Sequence, residues 1–507
     1  MSKEVFINVG AAEIRIAVME NGQLQELLLE RLIGSENDFP RVRGKGRNGH
    51  NLLGAIILGR VLRVLPGMQA AFVDIGFDRA GFLGAREARC LVSPSAVDED
   101  RAPKITDCVR EGDEVIVQIV KDPIGDKGAR LSANVTLPGR LLVLVPNQPG
   151  IALSRRIEDE AERTRLTETC RTMLEEGASF LPGGGYIVRS AAIGAGLVDL
   201  REDAERLAEL WRPVMAMRKN ARPPAVLHRD IDPVERAMRD EVDARTIRVL
   251  IDDADAFEVA RAYCRAAMPE AAHKLQLFTG PGRLFEIHAL EEEIERLTET
   301  RLSLLSGGWI TIEATEALTA IDVNSGSFTE ATGLEETSLR VNLEAAMEIG
   351  RQVRLRGIGG VVVVDFIHLN DAENVQGVLD VLAASLERDG TPTQISKMSE
   401  FGLVEITRKR VREPWARLLT ETCHACCGHG RRRTRESVAL DIIRSVERTA
   451  AAAPGKPITV HAAPDVVRWL LTHEQEIRVG LARRGAPRVS FIARDEFDRQ
   501  GYDIGTA

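Results

Sequence analysis

The chain has 507 residues, 44% hydrophobic and 28% charged, which excludes a disordered or fibrous polypeptide and is too long for one core, so about three domains of roughly 150 residues are expected. Lysine and arginine number 67 against 76 acids, a net charge of −9, which weighs against a uniformly basic nucleic-acid binder and leaves such contacts to local basic clusters. No apolar run approaches the roughly 20 residues of a membrane helix, MSKEVFINVG lacks a signal-peptide apolar region, and seven scattered cysteines do not form a disulfide framework, so a cytoplasmic protein is expected.

Residues 4 to 32 alternate in hydrophobicity around Asn21-Gly22, a β-hairpin signal. Residues 34 to 52 carry Gly, Asn and the cluster Arg41, Arg43, Lys45 and Arg47 without an apolar period, and read as a loop. Residues 53 to 133 are short strands punctuated by glycine, which suits a small closed barrel. Residues 134 to 233 hold apolar strands, a charged helix near 157 to 176 and three glycines at 183 to 185. No Lys-Ser/Thr follows them, which argues against a nucleotide phosphate loop. Residues 234 to 297 are rich in helix.

Residues 311 to 368 carry the densest signal. AIDVNSG and GGVVVVDFIHL are β-type runs that stop at Asp322 and Asp365, with one helix between them. Their apolar parts, Leu318–Ile321 and Val361–Val364, predict strands buried on both faces. An acid at the end of such a strand is costly to bury and needs a partner or a task. Two of them suit Mg²⁺, which takes hard oxygens and often only one or two carboxylates beside substrate phosphate. Asn324, two residues on, lies on the same side of an extended chain as Asp322. Thr332 and Glu335 have capping-box spacing for the helix that follows. Leu339, Leu343, Ala346, Gly350 and Val353 form its apolar stripe, and Gly357 is its stop.

TETCHACCGHG at 420 to 430 contains Cys423 and Cys426 in C-x-x-C spacing, half of a zinc site. Cys427, His424 or His429 could complete it locally, or two chains could each give two thiolates. A redox pair is a third option, for which no thioredoxin-like context is evident in the sequence. Residues 434 to 507 read as a small α/β unit.

The stretch TEALTAIDVNSG…LEET…NLEAA…IGRQVRLRGIGGVVVVDFI resembles the catalytic core of the bacterial ribonuclease E/G family, and weaker likeness extends over nearly the whole chain. The resemblance implies an α/β multidomain fold. A ribonuclease H-like subdomain (1–33 and 234–297) would be interrupted by an OB-fold RNA-binding barrel (34–133) and a 5′-sensor subdomain (134–233). A deoxyribonuclease-I-like catalytic subdomain (298–419), a zinc link (420–433) and a small C-terminal domain (434–507) would follow. It implies a Mg²⁺-dependent endonuclease of single-stranded, A/U-rich RNA, acting in rRNA maturation and mRNA decay. Asp322 and Asp365 would hold the metal and Asn324 would assist at the scissile phosphate. Phe72, Phe82, Lys121 and Lys127 would contact RNA in the barrel, a core aromatic being the alternative for Phe72. Val143, Arg155, Arg189 and Ser190 would form a 5′-phosphate pocket, an ordinary strand-end arginine being the alternative for Arg189. Zn²⁺ shared through Cys423 and Cys426 of two chains would give a homodimer, and paired dimers a tetramer.

The sequence departs from the family at several points. GAIILG replaces the polar opening of the barrel. DFIH replaces DFID, which puts His368 beside the site and suggests wider metal choice, towards Mn²⁺. Ser190 stands for threonine, Pro392 for a basic pocket residue, and His424 for the proline of the zinc link. The end of the chain at 507, without a long scaffold, favours the ribonuclease G branch over the catalytic half of a ribonuclease E. A non-catalytic RNA-binding protein on the same frame is the rival expectation.

Overall fold

The computed structural model describes residues 2–32, 53–92, 103–121, 128–176, 184–229, 231–326, 333–387 and 389–506. Lys127, Thr332 and the whole 34–52 stretch lie outside them. The chain divides into two compact units, Met1–Ala416 and Arg417–Ala507.

The first sheet joins the two ends of a long insertion. Its order is Leu275–Leu277, Thr246–Ile251, Lys3–Val9, Glu13–Glu20, Gln23–Arg31. Asn21 and Gly22 both have positive φ, 50° and 80°, as the hairpin turn requires. Lys3–Val9 runs parallel to Thr246–Ile251, and Val5, Ile7, Val249 and Ile251 share a core with Ala256, Ala260 and Cys264 of the helix Ala254–Ala267.

Inside the insertion, Ile56–Leu65, Ala70–Asp74, Gly81–Gly84, Arg130–Ser132 and Glu114–Lys121 close into a barrel, because the first of these strands pairs with the last. Closure leaves no free edge among the five. Ile57, Val73, Leu83, Val117 and Leu131 fill it. A Cβ on Gly81 would come within 2.5 Å of the Leu131 side chain, so any larger residue would have to displace that core leucine. A second, four-stranded sheet follows, in the order Gly150–Leu153, Gly185–Val188, Leu142–Val145, Leu137–Pro138. It packs with the helices Glu160–Glu176 and Leu197–Asn220.

The third sheet has six strands, ordered Arg301–Ser303, Trp309–Ala314, Leu318–Asn324, Gly360–Asp365, Leu403–Arg408, Thr393–Ile395. One face is dry: Ile310, Ile321, Val323, Val362, Val364, Val404 and Ile406 pack on Val341, Ala345 and Ile349 of the helix Leu334–Leu355 and on Val378 and Leu382 of Ala372–Glu387. The two helices cross closely at Gly350, where a Cβ would fall 1.9 Å from Ser385 Oγ. The other face corrects the expectation of strands buried on both sides. Val361 is 41% exposed and Val363 only half-buried, because no helix lies over that face among the described residues. The expected capping box is also not formed by Glu335. The helix begins after Gly333, and the Glu335 carboxylate turns instead to the loop after Asp365.

The second unit is a three-stranded sheet, Val489–Ala493, Ile458–Ala462, Tyr502–Thr506, with the helices Arg435–Ala452, Pro464–Thr472 and Glu474–Arg483 around it. No described helix of the chain is long and apolar enough to cross a membrane.

Candidate active site

The strands Leu318–Asn324 and Gly360–Asp365 pair in parallel, and their register sets Asp322 opposite Asp365. Paired residues point to the same face, here the uncovered one, about 4.8 Å apart at the backbone. Both carboxylates are exposed, and neither has an ion-pair partner among the described residues. The Asn324 side-chain amide donates to Asp322 Oδ2 at 2.7 Å, which fixes that carboxylate. Thr311 stands beside Asp322 and Leu403 beside Asp365 in the same row.

The loop after Asp365 is held from both sides. Asn342 accepts from the Ile367 N–H at 3.0 Å and donates to its carbonyl at 2.7 Å. Glu335 accepts from the side chain of Asn370 and from the N–H groups of Asp371 and Asn370. These bonds hold its carboxyl down at about 2. His368 is exposed on this loop. Among the described residues no three His, Cys, Asp or Glu side chains are grouped to hold a metal, so the structure does not gather His368 with Asp322 and Asp365. The two adjacent carboxylates still fit a hard cation that keeps most of its water.

On the barrel, register builds a row across the outer surface that the sequence did not reveal. Arg63 lies opposite Phe72, Phe72 opposite Phe82, Phe82 opposite Arg130, and Arg130 opposite Lys121. Phe72 and Phe82 meet edge to face, with centroids 6.1 Å apart. They alternate with the core residues Ala71, Val73 and Leu83, so Phe72 is not a core aromatic. Lys121 is exposed at the end of its strand.

In the four-stranded sheet, Arg189 follows the strand Gly185–Val188, and its N–H donates to Leu141 O at 2.8 Å. Val143 lies on the neighbouring strand, paired with Ile187. Ser190 comes next in the chain, and the exposed Arg155 follows the end of Gly150–Leu153, the strand on the other side. The register thus gathers all four at one end of the sheet. The Arg189 guanidinium is already engaged, by Gly139 O at 2.6 Å and Asp240 Oδ1 at 2.8 Å. Burial pushes the Asp240 carboxyl up, and Arg239 and Arg189 reverse this and leave it below its usual value. The turn before Leu142–Val145 is tied down by Asp203, 2% exposed, which accepts from the N–H groups of Leu141 and Leu142 at 2.9 Å each. Arg156 donates to Gly390 O, which places the loop holding Pro392 beside this sheet.

A family model described as "Ribonuclease E/G family" matches residues 136–411. The chain belongs to the ribonuclease E/G family. It is 37% identical to ribonuclease G of Escherichia coli (strain K12) over 477 residues, 94% of this chain and 93% of that protein. Ribonuclease G of Haemophilus influenzae is 35% identical over 506 residues, 98% of both chains. Ribonuclease E of E. coli (strain K12) is 33% identical over 507 residues, which cover 99% of this chain and 46% of that one.

A second ribonuclease E/G model, described as a thioredoxin-like domain, matches residues 422–507. Cys423 and Cys426 lie in the turn ahead of the first helix of that match, Arg435–Ala452, and the redox option stands beside the zinc option. The Cys423 thiol is pulled below its ordinary value by the N–H groups of Ala425 and Cys426 and by the Cys426 side chain. Cys427 sits in the left-handed region with φ 50°, and its Sγ lies 3.8 Å from His424 O. Among the described residues no three potential ligands are grouped, so the structure does not gather Cys427, His424 or His429 with the pair. Two thiols per chain fit either a zinc shared by two copies or a redox couple.

Proposed function

We propose that this protein is a Mg²⁺-dependent endoribonuclease of single-stranded RNA, acting in rRNA maturation and mRNA decay in the cytoplasm. The observation that carries this reading is the register pairing of Asp322 with Asp365 on an uncovered sheet face, in a chain of the ribonuclease E/G family. The two carboxylates hold the cation, and Asn324 keeps Asp322 oriented towards it. Bound Mg²⁺ supplies an activated water and positive charge at the phosphorus. The Arg63–Phe72–Phe82–Arg130–Lys121 row grips the strand by stacking and charge, with little sequence readout. Arg189 and Ser190 take the 5′ phosphate, for which the phosphate competes with Asp240. Cys423 and Cys426 of two chains share one zinc.

The test is cleavage of a labelled A/U-rich oligonucleotide with and without Mg²⁺, by wild type and Asp322→Ala. Cleavage by wild type alone, and only with Mg²⁺, is the expected result. Binding without cleavage by any form would establish the non-catalytic reading instead.

A further inference from the structure

We propose that the uncovered face of the six-stranded sheet carries two nucleobase platforms, one on each side of the acid pair: the Phe401 ring, and the stacked pair Arg301–Trp309. The proposal rests on the reading of Asp322 and Asp365 as the cleavage site and deepens it. It assigns the contacts to the bases that flank the scissile phosphate.

Phe401 is 85% exposed. A single exposed ring is unremarkable on a protein surface, but this one has a fixed position next to the acids. It lies on the turn that leads into Leu403–Arg408, and Leu403 is the register neighbour of Asp365. Ser399 Oγ accepts the N–H groups of Phe401 at 3.3 Å and Leu403 at 3.2 Å, and Ser399 N–H donates to Leu403 O at 2.9 Å. Gly402 takes φ 83°, which a side chain would resist, and its carbonyl accepts the N–H of Phe366, the residue after Asp365. The turn that presents the ring is therefore bonded to the catalytic strand itself.

On the opposite flank, Trp309 pairs with Asn324, and Arg301 pairs with Thr311, so both point to the acid face. The Arg301 guanidinium lies 3.9 Å over the Trp309 ring. Arg301 has no carboxylate partner among the described residues, so its charge and its outer planar surface are available. The strand of Trp309 and the strand of Leu403 are three strand spacings apart, roughly 14 Å, with the acids between them. An RNA chain laid across the strands can rest one base on each platform while the intervening backbone passes over Asp322 and Asp365.

Stacking needs only the face of a base, so this recognition tolerates any sequence. It does require that the base be free. In a duplex both faces of each base are already stacked, and neither platform can be used. The structure thus assigns single-strand selectivity to the cleavage face itself, in addition to the barrel.

The experiment uses the full-length protein and a single-stranded oligonucleotide with 2-aminopurine placed on either side of the mapped cut. Phe401→Ala and Arg301→Ala are each expected to weaken KM by about fivefold to a hundredfold, the range of one lost stack. Phe401→Trp is expected to restore it. In an Asp365→Ala background, which permits binding without cleavage, 2-aminopurine quenching at one flanking position should be lost with Phe401→Ala. Phe401 is exposed, so its truncation removes little packing, and an unchanged Tm verifies that. Unaltered KM and unaltered quenching in both alanine variants would overturn the platforms, even with Asp322→Ala inactive. Full cleavage by Asp322→Ala would instead overturn the cleavage-site reading, and the quenching would then report only where bases bind.

Discussion

Asp322 and Asp365 have no cation beside them among the described residues and are exposed, so replacing either leaves packing intact. Asp322→Ala or Asp365→Ala is therefore expected to lower cleavage by about a thousandfold, the effect of losing several kcal/mol of charge stabilisation. RNA affinity, measured by filter binding, should stay within a few-fold. His368→Asp should leave the Mg²⁺ and Mn²⁺ profiles alike, since His368 is not grouped with the acids. A changed profile would return it to the metal. Glu335 gives a prediction in pH. Its folded carboxyl is held at about 2 against an ordinary 4.5, so its bonds stabilise the loop above pH 4.5, and that contribution is lost as pH falls towards 2. The Tm gap between wild type and Glu335→Gln should close over that window. The two acids were legible because a β-type run ending in a carboxylate is a local pattern. Glu335 was misread because its spacing to Thr332 is equally local, whereas the groups that it binds lie 35 and 36 residues away.

Among elements, the proposed 5′ pocket depends on a helix that contributes none of its residues. Asp203, on Leu197–Asn220, fixes the turn whose Gly139 carbonyl holds Arg189. A Cβ at Gly139 would meet Asp203 Oδ2 at 2.6 Å, so the two positions are matched. Asp203→Ala leaves buried N–H groups without an acceptor and should cost about 3 kcal/mol in urea unfolding. In the pocket, Pro392 brings no charge, and Asp240 competes for Arg189. The preference for 5′-monophosphate over 5′-hydroxyl RNA should be weaker than a full set of charge-assisted bonds gives, by roughly tenfold to a hundredfold. What remains should vanish in Arg189→Ala. A strong preference that survives this change would place the pocket elsewhere. The strands here were legible from their apolar runs and glycines. Asp203 was not, because an acid within a charged helix looks solvated until the chain folds back over 61 residues.

For the whole molecule, the zinc reading makes a stoichiometric prediction. Native mass spectrometry should find one zinc per two chains, and Cys423→Ser should release monomers. One zinc per chain would refute sharing, and a metal-free C-x-x-C that cycles with dithiothreitol would favour the redox couple. The barrel was legible as a class from its short, glycine-punctuated strands. Its outer row was not, because Arg63, Phe72, Phe82, Arg130 and Lys121 come together only through the register of five strands.

The first sheet has a consequence for how the protein is made. Val9 donates its N–H to Asp252, 243 residues further on, and Lys3–Val9 finds its parallel partner only in Thr246–Ile251. A ribosome adding about 5 to 20 residues per second emits the opening hairpin about 10 to 50 s before that partner emerges. Throughout that time Lys3–Val9 is an unpaired strand edge, the kind that invites pairing with a neighbouring nascent chain on the same message. The inserted barrel, whose strands close on one another, can fold during the wait. Nascent chains stalled before residue 246 should therefore show a protease-resistant barrel and a protease-sensitive hairpin, and should depend on chaperones more than chains stalled beyond residue 277.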